Sequence, residues 1–367
     1  LLKTWSVLTR WLLAATLLFW LLFAAGWGTL HWLIVPRIGE FRPQLQARAT
    51  LALGVPVRIG AVVARSNGFV PSFELSNVEL ADAQGRVALS LARVLVSVSP
   101  RSLWHLGFEQ IYLDQPTLDV RRHADGRITV AGIDFAGAAG SSAPALNWFF
   151  SQLEMVIANG ELRWTDEVRA APPIVLQGVD VVLRNTARHH DMRLDATPPA
   201  EWGERFSLRG RLIQPLLERQ AGRWQTWDGQ LFAAFDRVDV SQLQRFASLG
   251  MDLNQGVGAV RAWADVRQGS VSGATADVAL SEVTVKLAPA LQELALQRVQ
   301  GRLGLQLLDG GFEFSTQGLA FDTREGLHWP GGNLRYLALA APGQAPRGEF
   351  KADLLDLTAL AQIADRV

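Results

Sequence analysis

The 367-residue chain contains no cysteine. Thiolate catalysis, disulfide bonds and cysteine metal sites are thereby excluded, and redox chemistry says nothing about compartment. Histidine is scarce, with six residues in all. His189, His190 and Asp191 form its one cluster, lying between two strand-like stretches where a solvated turn is the expectation rather than a metal site. An excess of one charge is also missing: Lys plus Arg and Asp plus Glu stand at 35 each, without a basic block or acidic tail. Nucleic acid is therefore not an expected partner. No Gly-x-Ser-x-Gly, His-Glu-x-x-His, Walker loop or complete Gly-x-Gly-x-x-Gly occurs. Gly256-Val257-Gly258 reads as a turn. Asp252 and Asn254 open like a calcium loop, but Gln255 takes the next ligand slot and no distal Glu follows. No catalytic residue, metal or cofactor is expected, and the chain reads as a non-enzyme.

What is present begins with an unbroken apolar run from Trp11 to Val35. As a helix it covers roughly 37 Å at about 1.5 Å per residue, enough for a hydrocarbon core of about 30 Å. It is longer than a signal-peptide core. Ala24-Ala25-Gly26 offers small residues for cleavage, but the run continues past them, so an uncleaved anchor is the reading. Lys3 and Arg10 precede the run without an acid, whereas Glu40 offsets Arg37 and Arg42 beyond it. The positive-inside rule then puts the N-terminus in the cytoplasm and the body across the membrane. Trp11, Trp20, Trp27 and Trp32 are the anchor's aromatic residues, and Trp5, Trp11 and Trp32 suit the headgroup belts.

After the anchor, Ile38, Phe41, Leu45, Ala49 and Ala52 recur at helical spacing. Gly54 is placed to end that helix in the left-handed conformation, and Pro43 fits only its first turn. From Val57 the period becomes two, with strands expected at 73–80, 87–98 and 108–120 and a tight turn at Asp125-Gly126. GAAGSSAPA, 137–145, is a small-residue linker. NWFFSQLEMV, 147–156, reads as a short helix feeding a strand. DVSQLQRFA at 239–247 echoes DLTALAQIA at 356–364, with Ser241 or Thr358 as caps, a repeat of about one hundred residues. The expected divisions are an N-terminal segment and anchor (1–36), a juxtamembrane amphipathic helix (37–54), a first β unit (55–136), a linker (137–146), a second β module (147–250) and a truncated third (251–367). The chain starts at Leu1 and stops where a helical pattern begins, so it reads as the N-terminal part of something larger.

Roughly fifteen strands face about four short helices, and nearly every strand has one apolar side. At about 25 cal/mol per Å² such sides need a cover. Either the sheet closes as a sandwich or barrel, or it stays an open trough holding something apolar; periodicity leaves both open.

The order of anchor, amphipathic helix, LGVPVRIG (53–60), PSFELSNVELAD (71–82), LARVLVSVSPRSLWHLGF (91–108) and NGELRW (159–164) resembles the AsmA-like envelope proteins, in detail their YhdP branch. The closing ADLLDLTALAQIADRV resembles that branch's strand-then-helix module. The resemblance covers the whole chain in order, although each motif is structural. It implies a mainly β fold with few short helices: a transmembrane helix followed by an elongated, twisted antiparallel sheet forming an open apolar groove of repeated modules, similar to bridge-like lipid transfer proteins. The implied function is an inner-membrane-anchored periplasmic conduit carrying phospholipid between inner and outer membranes, with outer-membrane or periplasmic proteins as further partners. Expected groove residues are Leu89, Leu91, Val94, Val96, Ile111, Leu113, Leu118, Val120, Val179, Val181, Leu183, Phe206 and Leu208, with a bulge at Ala92-Arg93 shifting the phase of its strand. The alternative is a non-enzymatic assembly scaffold with closed sandwiches, binding client proteins through its sheet edges.

Overall fold

The computed structural model describes residues 2–29, 32, 35–65, 72–81, 85, 87–99, 107–134, 143–245, 252–286, 292–339 and 347–352. Part of the LARVLVSVSPRSLWHLGF motif, residues 100–106, and the C-terminal module from 353 onward lie outside the described residues. Helix α1 spans Leu2–Gly28. Its stretch Arg10–Gly28 is long and apolar enough to cross a membrane, and none of it is buried against the protein. The hydroxyl within it and the one just past its end bond back to the helix: Thr16 donates to the Leu12 carbonyl and Thr29 to that of Ala25, both at 2.8 Å. Folding the hydroxyl back onto the preceding turn is what a helix in hydrocarbon requires.

A 3₁₀ segment, Val35–Phe41, leads into α2, Arg42–Leu53, with Pro43 in the first turn where its missing N–H costs nothing. Gly54 ends α2 at φ 69°, donating its N–H to Thr50 O at 2.9 Å. Beside α2 runs the edge strand β1, Val57–Ala64. Three helix side chains one turn apart engage its free edge: Arg42 donates to Gly60 O (2.8 Å), Gln46 Oε1 accepts from Ile59 N–H (3.2 Å) and Thr50 Oγ1 accepts from Val57 N–H (3.0 Å). Four helical residues rise about 6 Å and two strand residues about 6.8 Å, so the helix can follow the edge and occupy groups that would otherwise template another strand.

The sheet then builds strand by strand. β2 (Ser72–Ala81), β3 (Val87–Ser97) and β4 (Gln110–Asp114) follow β1 antiparallel. β5 (Thr117–Arg122) continues β4 beyond Gln115-Pro116 and carries the small strands β6 (Ile128–Val130) and β7 (Ile133–Asp134). Next to β4 and β5 lies β8 (Glu154–Asp166), parallel to both. This join makes the sheet mixed. A parallel neighbour needs a crossover, and here the crossover contains helix α3, Ala143–Ser151. From β8 onward the order is again antiparallel, through β9 (Ala171–Asn185), β10 (His189–Thr197), β11 (Phe206–Ile213), β12 (Asp228–Asp239), β13 (Asp252–Arg267), β14 (Ser270–Lys286), β15 (Leu294–Leu308) and β16 (Gly311–Thr323). β17 (His328–Trp329) and β18 (Gly332–Leu339) both pair with β16, and β19 (Arg347–Ala352) with β18. All described strands belong to this one sheet, whose two ends do not pair with each other.

A row of irregularities crosses it. Asn77 (β2), Gln115, Asn159 (β8) and Glu282 (β14) have φ of 51–52°, and Gly178 (β9) has 54°. Between them the register shifts at Asp195/Thr197, Phe235/Val238 and Leu253/Gln255/Val257. Registers place Gly60, Asn77, Ala92, Gln115 and Asn159 across from one another. In β3 the expected phase shift is visible: Leu91 and Val94 are both buried while Ala92 and Arg93 between them are exposed. Each extra residue exchanges odd for even and bends its strand, so an aligned row creases the whole sheet along its long axis while keeping the same chemistry on each side. The bulge at Asn159 is held by outer-face groups: its N–H donates to Asp180 at 2.9 Å, and Arg205 bonds both Asp180 and the Gly178 carbonyl, each at 2.7 Å. Because a β-branched residue is poorly tolerated at φ 52°, Asn159→Val is expected to destabilise the protein by about 1–2 kcal/mol and Asn159→Gly to be near neutral, measured by chemical denaturation of the detergent-solubilised chain. Equal stability of the two variants would contradict the strained-bulge assignment.

Candidate functional site

Following direct cross-strand partners shows how the two faces divide. One rung runs Val62, Leu75, Val94, Leu113, Ile157, Val181, Leu194, Leu208, Ala233, Ala262, Ala276, Leu303 and Thr316. Only its last member is polar. At about 4.8 Å per strand it extends on the order of 60 Å. A parallel rung, Met155, Leu183, Met192, Gly210, Leu231, Ala264, Ala274, Leu305, Phe314 and Tyr336, lies on the same face. One residue away, on the other face, the rung reads Asp180, Asp195, Ser207, Ala234, Arg261, Asp277, Arg302 and Gln317. Arg193–Asp195, Arg302–Asp277 and Arg335–Glu313 are ion-paired at 2.6–2.9 Å on that outer face. Hydrogen bonding by Arg302 and Arg335 holds the Asp277 and Glu313 carboxyls below their ordinary range. Such exposed pairs add little stability; they mark which side is wet.

The inner face is in two parts. Over the first strands it is roofed by protein. Ile38, Leu45, Ala49 and Leu53 from the α2 region and Trp148, Phe149 and Phe150 from α3 pack on a core that includes Leu89, Leu91, Val94, Val96, Ile111, Leu113 and Leu183, all buried, with Leu118 and Val181 partly buried. Val120 and Val179 are buried as well. Of the residues expected from sequence to line a groove, these eleven thus lie in or beside the roofed part, whereas Phe206 is half-buried and Leu208 is 37% exposed. Past the roof, apolar side chains of the inner face meet solvent: Leu305 is 41% and Leu307 50% exposed, and Phe312 and Tyr336 stand beside them. The alanines at 233, 262, 264, 274 and 276 carry no strong hydrophobic signal one strand at a time; only the register makes them a continuous wall.

The boundary between the two parts is a plug. The His190 ring stacks on that of Trp227 (centroids 3.8 Å apart, planes at 5°), and Phe150 of α3 meets both edge-on. His190 is buried on the inner face, contrary to the expectation of a solvated turn, because it is already the second residue of β10 and points the same way as Met192. Its polar neighbours are buried with it. Asn185 donates to the Gln152 carbonyl (2.7 Å) and Gln214 to that of Glu218 (2.7 Å), which turns both amide oxygens toward the imidazole, at 2.7 Å from Nδ1 and 3.4 Å from Nε2. Burial pushes the imidazole below its ordinary pKa, against the hydrogen bond to Gln214 that favours the cation. At the 239–247 echo, Asp239 rather than Ser241 supplies the cap: its Oδ1 accepts from the Ser241 N–H at 3.0 Å and hydroxyl at 2.6 Å.

Just past the roofed part, a pocket of about 290 Å³ opens on the inner face. Leu162 and Trp164 of β8, Ile174 and Leu176 of β9, Phe206 of β11 and Phe235 of β12 wall it, with Pro198 and Trp202 contributed by the β10–β11 connection. Phe206 and Phe235 stack at 5.1 Å. The connection is held over the pocket by backbone bonds from Glu204 N–H to Arg237 O (3.0 Å) and from Asp239 N–H to Trp202 O (2.8 Å). Of these lining residues only Phe206 is among those expected in the groove from the sequence; Trp202 and Phe235 carry no signal until the connection folds over β12.

An open sheet with one polar and one apolar face, roofed at one end and preceded by a helix long and apolar enough to cross a membrane, defines a two-faced open-sheet protein with a candidate membrane anchor. The chain belongs to the YhdP family: the family model described as YhdP protein matches residues 3–367. That membership places it among envelope-associated proteins. No curated protein and no solved structure matches it.

The buried histidine has a pH signature. Its folded pKa lies below the ordinary 6.5, so between those two values the unfolded chain binds more protons and stability rises with pH; the contribution is complete above about 6.5 and is lost as pH falls toward the folded value. The melting temperature is expected to drop from pH 7 to pH 5, and His190→Gln is expected to flatten that slope. An unchanged slope in the variant would show that other groups set the acid sensitivity.

Proposed function

We propose that the protein is a non-enzymatic conduit for phospholipid, anchored in the inner membrane by α1 with its N-terminus in the cytoplasm and its body in the periplasm, and passing lipid between inner and outer membranes along the inner face of the sheet. The observation that carries this reading is the apolar rung itself, which continues past the roof into strands where Leu208, Leu305 and Leu307 stand in solvent. Each acyl methylene moved from water onto such a wall gains on the order of 0.8 kcal/mol. Because neighbouring positions along the rungs are chemically alike, a chain can advance from strand to strand without a large barrier, and no nucleophile or cofactor is needed. The polar outer rung supplies the complementary requirement, a side that stays wet. The scaffold alternative draws no support from the β1 edge, where Arg42, Gln46 and Thr50 already occupy groups an incoming strand would need.

Lipid extracted from the purified full-length chain and quantified by mass spectrometry tests the reading. Phospholipid is expected at stoichiometric or higher levels, Leu208→Asp and Leu305→Asp are each expected to reduce it several-fold, and Gln317→Asp on the outer face is expected to leave it unchanged. Wild-type protein free of phospholipid would sink the proposal. For orientation, a reporter fused after Val367 is expected outside the cytoplasm.

A further inference from the structure

Resting on the conduit reading, we infer that the inner-face pocket at the β10–β11 connection is a head-group-selective station that prefers a zwitterionic phospholipid to an anionic one. The pocket's walls, among them Trp164, Leu176, Phe206 and Phe235, are apolar, which suits an acyl chain and nothing charged. Its two charged lining residues are Glu204 and Arg237, one of each sign. They sit opposite each other, joined through the backbone by the 3.0 Å bond from Glu204 N–H to Arg237 O, and both are exposed. Yet among the described residues neither side chain forms an ion pair, with the other or with a third group. The nearby Arg205 is different: its guanidinium is committed to Asp180 and to the Gly178 carbonyl, so it is not the free cation at this mouth.

An unpaired carboxylate and an unpaired guanidinium at the mouth of an apolar pocket match an amphiphile whose head carries both signs. In phosphatidylethanolamine the phosphate and the ammonium are separated by two carbons, so Arg237 can take the phosphate, in the bidentate manner guanidinium favours, while Glu204 takes the ammonium. An anionic head such as that of phosphatidylglycerol offers Arg237 the same phosphate but leaves Glu204 without a partner and close to negative charge. Because both groups are exposed, each contact is modest in strength, and the selectivity expected is several-fold rather than absolute.

Native mass spectrometry of the full chain in detergent micelles doped with equal amounts of palmitoyl-oleoyl phosphatidylethanolamine and phosphatidylglycerol reads this directly. Wild type is expected to retain the ethanolamine lipid about three-fold or more over the glycerol lipid. Glu204→Gln should bring the ratio close to one by lowering the retained ethanolamine lipid, and Arg237→Gln should lower both lipids together. Both substitutions lie on the surface, and matching circular dichroism spectra confirm that the fold is kept. A wild-type ratio of one, or a preference that survives Glu204→Gln, overturns the head-group assignment and leaves the conduit standing. Absence of both lipids from wild type overturns the two together.

Discussion

A strand has only two faces, and a slip of one residue sends every apolar side chain to the wrong one. The sheet depends on obeying that constraint across bends. Strands β2, β8, β9 and β14 carry an extra residue at Asn77, Asn159, Gly178 and Glu282, Gln115 makes the break between β4 and β5, and register shifts in β10, β12 and β13 continue the row between them. If a single strand lacked its bulge, half its apolar residues would turn outward among Arg193, Asp195, Asp277 and Arg302. The row therefore bends the sheet and protects its chemical sidedness at once. Backbone groups freed by the bulges are not wasted; Asp180 and Arg205 bind them from the polar side.

Sidedness explains the division of labour along the sheet. At the N-terminal end of the sheet, α2 and α3 roof the inner face and turn its apolar residues into an ordinary core. That core gives the first strands a stable base, and α2 simultaneously occupies the edge of β1, so the sheet has a defined beginning. The stacked His190–Trp227 pair with Phe150 closes the roof. Beyond it the same rung continues uncapped, with apolar side chains in solvent at a cost that an acyl chain would remove. The roofed and the uncapped stretches are thus one continuous apolar surface.

The parts legible beforehand were those governed by local periodicity. Gly54 and Pro43 bounded α2, the alternation from Val57 marked β1, and the doubled phase at Ala92-Arg93 announced a bulge. The groove was harder to place. Leu89, Leu91, Val94 and Val96 have the right alternation, but whether helix or solvent lies above them depends on where α3 lands, about fifty residues further along the chain within the parallel crossover. His190 looked like part of a turn because its neighbours His189 and Asp191 are polar; its burial follows from the stack on Trp227, which belongs to another hairpin.

The amino-acid order alone determined the membrane-length apolar helix, the β-rich body and the two-faced strands, because each is written in composition or in periods of 3.6 and 2.0 residues; the family is carried by the order of its motifs along the chain. Tertiary structure decided which strands pair, that β8 runs parallel to β4 and β5, which stretch of apolar face is roofed, and that small alanines far apart in the chain join into one wall. Those properties come from cross-strand register and long-range packing, and no window of local sequence contains either.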